Sequence, residues 1–146
     1  MCDFASLEPA VFLSDPGQAE RLLVDCGVNV TAVNKNGTSE NVNVLNSSIV
    51  FNDPDLASPH ESCGGLGEGA GGQNGSKYEN CEPQGNLLII QKTNTPSSVP
   101  DDKKNGGCMI FTFAEPVQTV NMGILDADET ITVTVSERKL YLLLLI

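Results

Sequence analysis

The stretch that decides the fold is CGVNVTAV, residues 26–33, in which apolar residues alternate with small polar ones. Successive side chains of a strand point to opposite faces, so this period of two predicts a half-buried strand. The residues NKNG follow at positions 34–37, and Asn-Gly is a strong signal for a tight turn. Residues 42–44 and 48–51 predict further strand material, whereas residues 15–23 are a candidate for a short helix.

The second half of the chain shows the same pattern of short apolar runs separated by turn residues. Residues 86–91, NLLIIQ, form a continuous apolar run that predicts a central strand buried on both faces. Residues 109–113 and 130–135 alternate, and we expect residues 117–125 to supply a strand between them. Short strands at this spacing predict an all-β fold, an antiparallel β-sandwich with long Gly-rich loops.

Length and charge limit the function. The 146 residues can build one hydrophobic core, and we expect a single β-sandwich domain over residues 1–136. The 8 Lys+Arg against 19 Asp+Glu give a net charge of −11, so nucleic acid and anionic membranes are not expected partners. No apolar run approaches the roughly 20 residues of a membrane helix, and we expect no signal peptide in this chain.

Residues 137–146, ERKLYLLLLI, lose the polar alternation and are interpreted as an apolar C-terminal tail. Two interpretations are open: a closing buried strand, or the product of a truncated or mis-spliced reading frame. The apolar part is too short to insert across a bilayer. If it were exposed, it would be prone to aggregation.

The cysteines bear on the compartment. Cys63 and Cys81 flank a Gly-rich stretch within the long loop at residues 53–85, and a disulfide between them would restrict the unfolded chain. The odd count of five leaves at least one thiol free or intermolecular, and five reduced cysteines in a cytosolic protein are the alternative. The low Lys/Arg content and four N-x-S/T sequons favour a secreted or cell-surface glycoprotein; the sequons begin at Asn29, Asn36, Asn46 and Asn74.

No motif predicts catalysis. The glycine run at residues 64–72 lacks the Gly-Lys-Ser/Thr of a P-loop and is interpreted as a flexible surface loop. His60 is the only histidine, and we expect this lone loop residue to be exposed and inert. A hydrolase that uses His60 or carboxylates is the alternative, but we predict that the chain is not an enzyme.

Acidic turns suggest a cation site. Asp53 and Asp55 lie where a strand enters the long loop, and Asp126 and Asp128 lie in the turn before residues 130–135. Carboxylates at i and i+2 can direct oxygens at one centre, as hard cations such as Ca²⁺ require. We therefore predict a calcium site at these four residues, with solvated turn residues as the alternative.

The ordered motifs FNDPDL at 51–56, GNLLIIQ at 85–91, IFTF at 110–113 and ILDADE at 124–129 resemble a known module. It is a galactose-binding-like jelly roll from extracellular and cell-surface proteins of marine bacteria and algae, a family without characterised function. The similarity covers about residues 3–136. Since such modules continue through further strands, the resemblance implies a chain that is incomplete at its C-terminus.

The resemblance implies a non-enzymatic extracellular structural or adhesion module with a structural calcium site, and surface glycans or extracellular matrix as partners. The alternative is a carbohydrate-binding module that uses Tyr78 and loop Asn/Gln residues. Sugar platforms are usually aromatic, and the chain has no Trp. We therefore place the structural or adhesion role first.

Overall fold

The computed structural model describes residues 26–48, 54–69, 71–93, 99–125, 130–137 and 139–144. The strands are β1 Val28–Val33, β2 Ser39–Glu40, β3 Val42–Asn46, β4 Asn86–Ile90, β5 Gly107–Phe113, β6 Ile131–Ser136 and β7 Lys139–Leu144. Two single-turn 3₁₀ helices, Pro54–Leu56 and Glu61–Cys63, lie between β3 and β4. The predicted helix at residues 15–23 and the predicted strand residues 49–51 lie outside the described residues.

The strands form two antiparallel sheets. The larger sheet has five strands in the order β2-β1-β5-β7-β6, and the smaller sheet consists of β3 and β4. Every pairing between these strands is antiparallel. The predicted all-β, sandwich-like fold class is therefore confirmed.

β1 follows the alternation of its sequence. Val28, Val30 and Ala32 are buried, and the residues between them are exposed. Val30 is paired with Phe111 and Ala32 with Met109 across the β1–β5 ladder, so the buried residues of both strands share one face. The smaller sheet adds its own apolar residues to this core, namely Val42, Val44 and Ile90.

The predicted turn after β1 is confirmed. The backbone N–H of Gly37 donates to Asn34 O at 2.9 Å, and Asn34 N donates to Thr38 O at 2.8 Å. Gly37 has a φ of +79°, a left-handed conformation that glycine adopts without a Cβ clash. The turn leads into the short strand β2, which pairs with the end of β1.

A buried amide pair ties β3 to the segment after β4. Asn43 and Gln91 are both completely buried, and Asn43 Nδ2 donates to Gln91 Oε1 at 3.0 Å. Asn43 Oδ1 accepts from the backbone N–H of Val44, and Gln91 Nε2 donates to Val99 O. Because buried polar groups are costly when unpaired, these bonds fix how the two segments meet.

The apolar C-terminal residues form an inner strand of the larger sheet. β7 pairs with β5 on one side, where Phe111 faces Leu140, and with β6 on the other, where Val135 faces Leu140. Leu140 is buried in the main core. Of the two interpretations offered for this run, the structure therefore favours the closing strand, over Lys139–Leu144.

Two details of the predicted strands are wrong. Residues 117–125 form no strand, and four of their apolar side chains are exposed: Val117, Val120, Met122 and Ile124. β4 exists as predicted, but it is not a central strand buried on both faces. Within the described residues its only ladder partner is β3, and Leu87 and Leu88 are only partly buried.

Candidate functional site

The loop between β3 and β4 is cross-linked as the cysteine positions suggested. Cys63 and Cys81 form a disulfide that spans 18 positions, with their Cα atoms 5.4 Å apart. Cys26 is also disulfide-bonded. Cys108 on β5 is a free, partly buried thiol, in agreement with the odd cysteine count, and burial raises its pKa.

His60 is the centre of this cross-linked loop, and the expectation that it is exposed is wrong. Only 3 % of His60 is exposed. Its Nδ1 accepts from the backbone N–H of Ser62 at 3.0 Å, as an N-cap of the second 3₁₀ helix, and its Nε2 lies 2.9 Å from Gly69 O. Because Nδ1 is an acceptor and Gly69 O can only accept, the ring proton lies on Nε2.

Two glycines of the loop are required by close backbone contacts. A Cβ on Gly65 would lie 2.0 Å from Pro59 O, and one on Gly67 would lie 2.1 Å from Ala57 O. Gly67 also donates its N–H to Pro59 O at 2.9 Å. The run interpreted as a flexible surface loop is therefore packed against the chain that precedes it.

His60 contacts both the backbone and the side chain of Ser62. Ser62 Oγ lies 2.8 Å from His60 Nδ1 and also accepts from the backbone N–H of Asn74 at 2.9 Å. Nδ1 also accepts from the backbone N–H of Ser62, and Nε2 is held by Gly69 O. These contacts connect the second 3₁₀ helix to the glycine run and to the segment that follows it.

The predicted calcium ligands are mostly outside the described residues. Asp53, Asp126 and Asp128 lie there, and Asp55 is exposed on the first 3₁₀ helix. Among the residues that the structure does describe, no group of three or more His, Cys, Asp or Glu gathers as a metal site. The part of the predicted site that can be inspected therefore does not by itself form a calcium cage.

Tyr78, the predicted sugar contact, is exposed on the same disulfide loop. Its side chain is 71 % exposed, and Lys77 Nζ lies 4.8 Å from the ring centroid and 2.9 Å from the phenolic oxygen. The ammonium thus lies at the hydroxyl end of the ring, within cation–π distance of it. Tyr78 is available to a partner.

A polar pocket that the sequence analysis missed lies where the turn after β1 meets the loop before β5. It has a volume of about 200 Å³ and is lined by Asn34, Lys35, Asn36, Lys103, Asn105 and Gly106. Beneath it, Glu40 Oε1 accepts from Asn34 Nδ2 at 3.0 Å and from Lys103 Nζ. The pocket contains Lys35 and Lys103, which lie far apart in the sequence. Only the β1–β5 register shows that their two segments are neighbours.

Together, the two sheets and the cross-linked loop define an all-β, disulfide-containing domain. No protein-family model, no curated protein and no solved structure matches the chain. The galactose-binding-like jelly roll therefore stays a prediction from sequence motifs. In the part of the chain described, no helix is long and apolar enough to cross a membrane.

Proposed function

We propose that this chain is a non-enzymatic extracellular module with a structural or adhesive role. The observation that carries the proposal is the loop closed by Cys63 and Cys81 and packed around His60. Disulfides persist in oxidising compartments, so a cross-linked loop supports a place outside the reducing cytosol. The exposed residues of this loop, among them Lys77 and Tyr78, would then be held in place for contact with a surface or matrix.

The same proposal includes the structural calcium site at Asp53, Asp55, Asp126 and Asp128. It is supported by the i and i+2 spacing of the two pairs in the sequence. The structural role is proposed from the disulfide and the packing around His60, and the calcium site from the sequence spacing alone.

The experiment for the extracellular role uses the native protein on its own cells. An antibody against the chain should label intact cells or the medium, and thiol alkylation of the denatured, unreduced protein should modify only Cys108. Antibody labelling only after permeabilisation, together with alkylation of all five cysteines, would contradict the proposal.

Carbohydrate binding is the second candidate, and the pocket beside Lys35 favours it. Ammonium and amide groups line this pocket and could donate to hydroxyl or carboxylate oxygens of a sugar. A glycan array probed with folded, unglycosylated protein tests it. We expect Lys35→Ala to weaken any hit about tenfold, as loss of one charged hydrogen bond would, and Lys77→Ala to leave it unchanged. A blank array, or equal weakening by both variants, would count against this function.

A further inference from the structure

We propose that two of the four sequons, Asn36 and Asn74, are N-glycosylation sites, and that Asn29 and Asn46 are not. This inference rests on the proposed extracellular function, since N-glycans are added in the secretory pathway. The inference goes beyond that function because it uses the local structure to select which of the four sequons carry a glycan. A sequon alone predicts only an acceptor, and the surrounding backbone decides whether a glycan fits the folded chain.

Asn36 lies at the tip of the turn between β1 and β2. Asn36 and the following Gly37 and Thr38 are all exposed. The backbone N–H groups of Asn36 and Thr38 both donate to Asn34 Oδ1, at 2.9 and 3.0 Å, so Asn34 holds the turn without using the Asn36 side chain. A glycan on Asn36 Nδ2 would therefore disturb none of the bonds that shape this turn.

Asn74 has the same setting in the disulfide loop. It is exposed in a turn in which Ser76 N donates to Gln73 O at 3.0 Å. The backbone N–H of Asn74 donates to Ser62 Oγ, which leaves its side-chain amide out of this bond. Gly75 after Asn74 has a φ of +77°, close to the +79° of Gly37 after Asn36. In both sequons the residue after the asparagine is therefore a glycine in the left-handed conformation.

The other two sequons lie in strands. Asn46 ends β3, is only partly exposed, and uses its Oδ1 to accept from Ser48 N at 2.9 Å. Its neighbour Ser47 is completely buried and donates from Oγ to Gly85 O. Asn29 is exposed but lies within β1, where its backbone is paired with that of Thr112 of β5. A glycan at either position would lie over a paired strand rather than on a free turn.

The chemistry requires a lipid-diphosphate-linked oligosaccharide as the co-reactant. The Asn Nδ2 forms a bond to the anomeric carbon, and the bond from that carbon to the diphosphate oxygen breaks. The electron pair of that bond leaves with the diphosphate, and the amide nitrogen gives up one proton. No oxidant or reductant is needed.

The test is the full chain secreted from a eukaryotic host behind a cleavable leader. Intact mass should show two N-glycans, and an amidase that converts glycosylated Asn to Asp should mark the peptides containing Asn36 and Asn74. Asn36→Gln and Asn74→Gln should each remove one glycan, and the matched variant Asn46→Gln should remove none.

An empty Asn36 or Asn74, or a glycan on Asn29 or Asn46, in secreted and oxidised protein would overturn the inference. The proposed function would survive that result, because it does not depend on which sequons carry glycans. The location of the native protein tests the proposed function separately. Binding to glycan arrays is measured on unglycosylated protein, because Asn36 also lines the pocket.

Discussion

Removal of the Cys63–Cys81 disulfide should destabilise the folded domain by a predictable amount. The bridge closes a loop of 18 positions, for which the chain-entropy relation gives about 3 kcal/mol. Contacts other than the bridge also hold the loop: His60 N donates to Asn80 O at 2.8 Å, and Asn80 N donates to Gly72 O at 3.0 Å. We therefore expect the native structure to persist without the disulfide, so that the loss comes from a freer unfolded state.

The assay is urea unfolding of the oxidised protein and of the double variant Cys63→Ser/Cys81→Ser. A loss of about 3 kcal/mol corresponds to a fall in Tm of roughly 10 °C for a domain of this size. Cys108→Ser is the matched control, because it removes a cysteine that forms no bridge. A double variant that unfolds at the same urea concentration as this control would refute the reasoning. The disulfide would then add no measurable restriction to the unfolded chain.

Three further predictions concern buried or charged groups. His60→Ala should lower the free energy of unfolding in urea by about 2–3 kcal/mol, because it leaves Ser62 N and Gly69 O unpaired. His60→Asn can still cap Ser62 N and should lower it less. Equal losses in the two variants would contradict the capping role. Because burial raises the pKa of Cys108, its alkylation at neutral pH should be slower than that of the unfolded chain and should accelerate as the pH rises; equal rates would show that the thiol is not shielded. Excess calcium should raise the Tm by several degrees over a chelator if the acidic turns bind it, and Asp55→Ala should abolish the rise; an unchanged rise in the variant would exclude Asp55 as a ligand.

The strands that could be predicted from the sequence are those with one buried face and one more exposed face. β1 and β5 each place alternate residues in the core, so their sequences carry the period of the strand directly. Residues 117–125 also contain spaced apolar residues, yet they form no strand. A hairpin with the preceding strand is blocked, because β5 is already paired with β1 on one side and β7 on the other. Alternation indicates that a segment could form a strand, but it does not show which strand the segment would pair with.

The continuous leucine run illustrates the opposite difficulty. β7 lies between two other strands, and its place in the sheet depends on pairing with both β5 and β6. Without the pairing with β5, a run of this kind cannot be distinguished from a terminal tail. The sequence therefore permitted a closing strand but could not select it.

The loop site was predicted only in part. The Cys63–Cys81 bridge could be anticipated because these cysteines flank the glycine run. The burial of His60 could not, because it depends on Gly69 and on Asn80, which the chain brings together only after folding. The backbone approach that excludes a Cβ at Gly65 and Gly67 requires glycine at these two positions. In the sequence alone the glycine content indicated only flexibility.

The strand order has a consequence for any chain that stops before β7. In the described sheet the only partner of β6 is β7. β6 carries no charge, and Val133 and Val135 remain 52 % and 72 % exposed even in the folded chain. Without β7 this strand would have both edges unpaired and could pair with other copies of the chain. Deletion of residues 139–146 should therefore increase aggregation.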